Sequence, residues 1–133
     1  VSASPPPRFE VLVEPQGRAA GSRVLVTIRV TGAQGIGRHA AFRVGADPAF
    51  LRLEGHRPTG RGALLVEEAR PGEIAVYRSS LPQGFAPVEE LVTLEFMGLS
   101  AGLTSIVLED VRLMDRRARD LAFTREAGSL VLE

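Results

Sequence analysis

A side-chain period of two constrains this chain more than any other feature. From Arg23 to Val30, Val24, Val26, Ile28 and Val30 hold one parity, while Arg23, Leu25, Thr27 and Arg29 hold the other. Successive side chains of an extended strand point to opposite faces, so the segment buries one side and wets the other only as a strand. The same alternation returns in the C-terminal third, where Val92, Leu94 and Phe96 alternate with Thr93, Glu95 and Met97. It returns again near the start, where Phe9, Val11 and Val13 oppose Glu10, Leu12 and Glu14.

Glycine and proline divide these runs. Pro15 and Gly17 stop the first strand, and Gly32, Gly35 and Gly37 break the second. Ala40 to Asp47 resumes with Phe42 and Val44 opposed to Arg43 and Gly45, and Asp47-Pro48 ends it, because proline pushes the residue before it out of helical geometry into a turn. Phe50 to Glu54 reads as a short strand, with Gly55 to Gly62 as a polar loop carrying His56 and Pro58. Ala63–Glu68 and Glu73–Arg78 form a hairpin around Arg70-Pro71-Gly72, with Ile74 and Val76 inward and Ala75 and Tyr77 outward. Ser80 to Pro87 is a loop, followed by strands at Leu91–Phe96, Gly102–Leu108 and Gly128–Leu132, with Met114 to Asp120 as the last long connection. About nine strands with no sustained helical period specify an all-β fold, an antiparallel β-sandwich.

With 133 residues, of which 44% are hydrophobic, the chain suits one domain. A domain of this size buries about 68% of the surface its unfolded chain exposes. Residues 1–8, Val-Ser-Ala-Ser-Pro-Pro-Pro-Arg, read as the remnant of a proline-rich linker, and 9–133 as the domain. No apolar run approaches the ~20 residues of a membrane-spanning helix. Sixteen basic residues, all arginine, balance sixteen acidic ones. That balance lacks the positive field of a nucleic-acid binder. The absence of cysteine excludes disulfides and thiolate metal sites.

No set of residues assembles into a reaction centre, and the expectation is a chain that is not an enzyme and uses no cofactor and no metal. Gly35-Ile36-Gly37-Arg38-His39-Ala40 fits a dinucleotide fingerprint, but the alternation after Ala40 is that of a strand and not of the required helix. His39 and His56 have no neighbours at ligand spacing and read as loop histidines. Glu67-Glu68 and Glu89-Glu90 are adjacent in strands, where neighbouring side chains diverge. Asp115-Arg116-Arg117-Ala118-Arg119-Asp120 reads as a solvated loop whose arginines are bracketed by aspartates.

The order and spacing of these segments resemble cohesin modules, the jelly-roll sandwiches that receive dockerin modules. The resemblance covers Phe9 to Leu132. It is carried by Gly21 to Val30, by Gly35-Ile36 leading to Phe42-Arg43-Val44-Gly45-Ala46-Asp47-Pro48, by Leu51-Arg52-Leu53, by Val92 to Phe96, by Gly102 to Leu108, by Leu113 with Asp115, and by Gly128 to Leu132. The sequence departs from the family at Ala46, where many members carry an aromatic residue. The resemblance implies a non-catalytic protein-binding module in a larger secreted or envelope-associated protein, at the cell surface, outside the cell or in the periplasm. Its partner is then a dockerin-like or other envelope protein.

The resemblance also implies a binding face on the third, fifth, sixth and eighth strands. Mapped onto this chain, that face presents Arg43, Gly45, Asp47, Ala75, Tyr77, Ser105 and Val107. Small residues there leave a flat surface on which Tyr77 and Arg43 act as anchors, residue types enriched in binding hot spots. Two other readings are a structural domain that associates with its own copies, and a carbohydrate-binding module. The second needs exposed rings to stack on sugars, and the chain has no tryptophan and one tyrosine.

Overall fold

A computed structural model describes residues 5–15, 17, 19–58, 62–79 and 84–132. Ten strands run in chain order: β1 (Arg8–Pro15), β2 (Arg23–Thr31), β3 (His39–Ala46), β4 (Leu51–Pro58), β5 (Ala63–Arg70), β6 (Glu73–Ser79), β7 (Val88–Gly98), β8 (Gly102–Met114), β9 (Thr124–Arg125) and β10 (Gly128–Leu132). They form two five-stranded sheets, one ordered β4-β7-β2-β1-β9 and the other β10-β8-β3-β6-β5. Pairing is antiparallel throughout except between β1 and β9. The architecture is a β-sandwich, as the alternation requires. The described residues contain no helix.

The expected parities hold in the core. Phe9 and Val11 of β1, Val24, Val26, Ile28 and Val30 of β2, and Leu94 and Phe96 of β7 are buried. So are Phe42 and Val44 of β3, Ile74 and Val76 of β6, Ile106 and Leu108 of β8, and Leu130 and Leu132 of β10 in the second sheet. Each such side chain removed from water contributes about 1.5–3 kcal/mol. Phe9 ties the layers together, meeting the rings of Phe42 and Phe123 edge-on at centroid distances of 6.2 and 5.3 Å.

Several boundaries differ from those read in the sequence. β4 continues through Gly55 and His56 to Pro58, where a polar loop was expected. A register shift between Leu53 and Gly55 takes up Glu54 as an extra residue, and the strand goes on pairing with β7 although its side chains are polar. An edge strand of this kind is held by its backbone ladder, which leaves no apolar alternation to read. β8 likewise extends past Leu108 to Met114. Opposite Phe42 it carries two residues, Asp110 and Val111, and Asp110 adopts φ 50°, a left-handed conformation that aspartate tolerates. The two-residue β9 lacks any apolar signal and is fixed by Thr124 N–H donating to the Pro7 carbonyl and Glu126 N–H to that of Phe9.

Candidate functional site

The third, fifth, sixth and eighth strands do lie in one sheet, joined by β10. On its outer face Arg43 pairs with Ala75, Ala41 with Tyr77, Gly45 with Val107, and Ser105 with Ser129. Arg43, Gly45, Ala75, Tyr77, Ser105 and Val107 therefore share one surface. Asp47 stands at its rim, in the turn after β3, where its Oδ1 accepts the Ala49 N–H at 2.9 Å. Its carbonyl accepts from Phe50 and Leu51, so this aspartate builds the turn that the Asp-Pro sequence announces.

Two shallow depressions meet at Arg43. One is lined by Gly45, Asp47, Glu73, Ser105, Val107 and Ser129, the other by Ala41, Leu65, Glu67, Ala75, Tyr77 and Asp110. The absence of a side chain at Gly45 opens the first, since a Cβ there would stand 3.0 Å from Val107 Cγ2 and 3.3 Å from Glu109 Oε1. Arg43 Nη2 lies 3.0 Å from Glu109 Oε2 and 2.9 Å from Asp110 Oδ2. The Glu109 hydrogen bond, with the Asp110 charge added, raises the Arg43 pKa and keeps its guanidinium charged and oriented. The Tyr77 ring stacks on His39 at a centroid distance of 6.2 Å. His39 and His56, expected in loops, sit in β3 and β4, where backbone pairing extends beyond the apolar pattern.

The two outer faces of the sandwich differ sharply. On the β4-β7-β2-β1-β9 sheet, cross-strand polar pairs cover the surface. Glu95 takes both Arg57 and Arg23, Glu10 takes Arg29 at 2.7 Å, and the Thr27 and Thr93 hydroxyls meet at 3.0 Å. The exposed large apolar side chains there are Leu12, at 38%, and Val88 at the start of β7, at 55%; Leu12 pairs with Thr27 and Val88 with Thr31, so each stands without an apolar cross-strand partner. The opposite face exposes Leu65 at 65%, Leu103 at 70%, Val131 at 63% and Tyr77 at 39%. Leu103 pairs with Val131 and Leu65 with Tyr77, so the four form two apolar clusters flanking Arg43. Sequence reasoning missed Leu65, Leu103 and Val131. Their parity within the strands was the available signal, because each alternates with an inward neighbour.

The strand parity also carries Arg78 inward beside Ile74 and Val76, and it is 1% exposed. Burial lowers its pKa and the charge of Glu89 opposes that shift. The Gly35-Ile36-Gly37 segment turns and passes directly into β3, so no helix follows those glycines.

No family model matches the chain, and no curated protein matches it in sequence. Solved structures do. The cohesin module of a Clostridium perfringens family 33 glycoside hydrolase superposes with a TM-score of 0.85 at 12% identity, covering 98% of each chain. A non-cellulosomal cohesin from the archaeon Archaeoglobus fulgidus gives 0.79 at 12% identity, over 95% of this chain and 91% of that one. The sixth cohesin of Acetivibrio cellulolyticus scaffoldin B, solved with a dockerin, gives 0.77 at 15% identity over 94% of this chain and 99% of its own. At such identities the likeness is one of fold, and the fold of this chain is the cohesin-like β-sandwich with jelly-roll topology.

Proposed function

We propose that this chain is a non-catalytic protein-binding module that receives its partner on the outer face of the β10-β8-β3-β6-β5 sheet. The observation that carries the reading is the asymmetry of the two sheets. One outer face is largely covered by its own ion pairs and a hydroxyl pair and exposes Leu12 and Val88 singly, while the other leaves Leu65 beside Tyr77 and Leu103 beside Val131 in water. Clustered apolar side chains on an ordered sheet, rimmed by charge, mark an interaction surface.

The charge of the face narrows the partner. Lining the two depressions are Asp47, Glu67, Glu73, Glu109 and Asp110 against the single cation Arg43. A complementary surface places apolar side chains over the two clusters and Arg or Lys side chains at the rim, which speeds encounter at low salt. Cohesin-like modules whose partners are dockerins make a dockerin-like module the first candidate, in a larger secreted or envelope-associated protein.

The test is retention of a partner on the immobilised domain from envelope and secreted fractions, using matched variants of the two faces. Leu103→Asp should abolish retention of a specific protein and Tyr77→Ala should weaken it, and Leu12→Asp on the opposite sheet should leave it unchanged. Equal retention by all three variants would remove this face from consideration. A concentration-dependent dimer that Leu103→Asp dissolves would instead make the face a contact between copies of this chain.

A further inference from the structure

At one end of the sandwich, the segment between β2 and β3 meets the loop that follows β8. Arg38, Arg116, Arg117 and Arg119 gather there around one depression, with Asp115 the acidic side chain among them. The aspartates bracketing this loop in sequence would be expected to neutralise it, but the geometry gives both of them other work. Asp115 Oδ1 accepts the backbone N–H groups of Arg117 at 2.8 Å and Arg119 at 3.0 Å, while Oδ2 accepts Arg119 Nε at 3.0 Å. Asp120 is held by Arg112 Nε at 3.0 Å.

The loop is also closed along its backbone. Asp115 N–H donates to the Arg119 carbonyl at 2.9 Å, and Ala118 N–H to the Asp115 carbonyl at 3.0 Å. Arg38 is fixed to the same end through its N–H, which donates to the Met114 carbonyl at 2.9 Å. Its side chain donates to the Gly37 carbonyl at 3.3 Å, and its Nε is buried without an acceptor. Elsewhere Arg8, Arg23, Arg29, Arg43, Arg52, Arg57 and Arg112 each reach a carboxylate. Among the described residues Arg38, Arg116 and Arg117 reach none, and neither do Arg70 and Arg125, but the first three line one depression together.

We propose that this end of the domain is an anion site for a phosphate group, bound by Arg116 and Arg117 from the ordered loop and by Arg38 from the facing segment. Asp115 is taken up by Arg119 and the loop backbone, which leaves Arg38, Arg116 and Arg117 lining the depression with a net positive charge that a doubly charged oxyanion would offset. The planar fork of donors on arginine suits a phosphate better than a point charge does. The site lies outside the protein-binding face described above and does not depend on that reading. Its ligand is a phosphate group, borne by a soluble molecule or by a lipid headgroup.

Titration of the 133-residue chain at low salt tests it, with sodium pyrophosphate in one arm and phosphatidylglycerol vesicles in the other, set against phosphatidylcholine vesicles. Saturable binding is expected in at least one of the first two arms, and which arm saturates identifies the source of the phosphate. The double variant Arg116→Ala/Arg117→Ala should weaken it at least tenfold with an unchanged thermal midpoint. A charge-matched control, Arg70→Ala/Arg125→Ala, should bind as the parent does. Absence of saturation in both arms overturns the proposal, and so does equal weakening by the control, which would reduce the effect to net charge.

Discussion

The Tyr77 hydroxyl lies 3.2 Å from His39 Nδ1, and the two rings stack with an interplanar angle of 19°. Ser79 Oγ approaches the same nitrogen at 2.9 Å. Tyr77 and Ser79 belong to β6 and His39 to β3, so the aromatic side chain of the exposed face is held across the sheet by a neighbouring strand. A side chain already fixed in one rotamer loses less conformational entropy when a partner covers it. The ring is thus a pre-ordered contact on a face whose other large apolar groups are aliphatic.

Truncation of that ring should be costly for binding and harmless to folding. Tyr77→Ala is expected to cost roughly 2 kcal/mol of partner affinity, about 30-fold, with an unchanged circular dichroism spectrum. His39→Ala keeps the ring but frees it, and should cost only a few-fold. Calorimetric titration of the retained partner measures both. Full affinity in Tyr77→Ala would show that the ring is not an anchor.

Gly72 tests the turn that positions this face. It sits at φ +84° after Pro71, and its carbonyl accepts the Ala46 N–H at 2.8 Å, tying the β5–β6 hairpin to the end of β3. A Cβ built there would stand 2.1 Å from the Ala46 carbonyl oxygen. Gly72→Ala therefore combines an unfavourable backbone conformation with a backbone clash, and should destabilise the domain by about 3 kcal/mol. Chemical denaturation gives the number, and a loss under about 1 kcal/mol would mean the turn relaxes freely.

Phe9 gives the matching test of the core. It is fully buried between Phe42 of the opposite sheet and Phe123 of the β8–β9 connection. Phe9→Ala should cost about 3–5 kcal/mol, while Leu12→Ala on the same strand should cost little. Similar midpoints for the two variants would contradict the assigned parity of β1.

How far the sequence reads ahead follows from which forces leave a pattern. Where one face of a strand is buried, as from Arg23 to Val30, alternation located the strand and its inward side chains. The hairpin around Pro71-Gly72 was legible because turn chemistry is local. The second half of β4 and the β9 bridge are held by backbone pairing, which imposes no side-chain type, and in β8 the extra residue opposite Phe42 breaks the alternation before Leu113 returns to the core. Thr93 is buried on the outer face because β7 lies inside its sheet, with the Thr27 hydroxyl against it, and only strand order could show that. Of the face itself, the positions in β3, β6 and β8 were legible from parity and resemblance. The exposed Leu65, Leu103 and Val131 were not, since a lone outward apolar residue means nothing until its cross-strand neighbour is known.

Asp115 links loop order to pH. The N–H of Arg119 pulls its carboxyl below the ordinary value of 3.8; burial opposes this, and the N–H of Arg117 and the Arg119 guanidinium reinforce it. A carboxyl that holds its proton more weakly folded than unfolded contributes stability above the unfolded value and loses it as pH falls through the lower folded one. Protection of the Arg117 and Arg119 amides from hydrogen exchange should therefore persist through the ordinary carboxylate range and disappear only in stronger acid. Asp115→Ala should lack it at every pH. The same variant separates loop order from charge at the arginine cluster. Removing a negative charge would by itself tighten pyrophosphate binding, whereas an anion site that depends on the closed loop should bind more weakly. Tighter binding in Asp115→Ala would leave the loop geometry without a part in recognition.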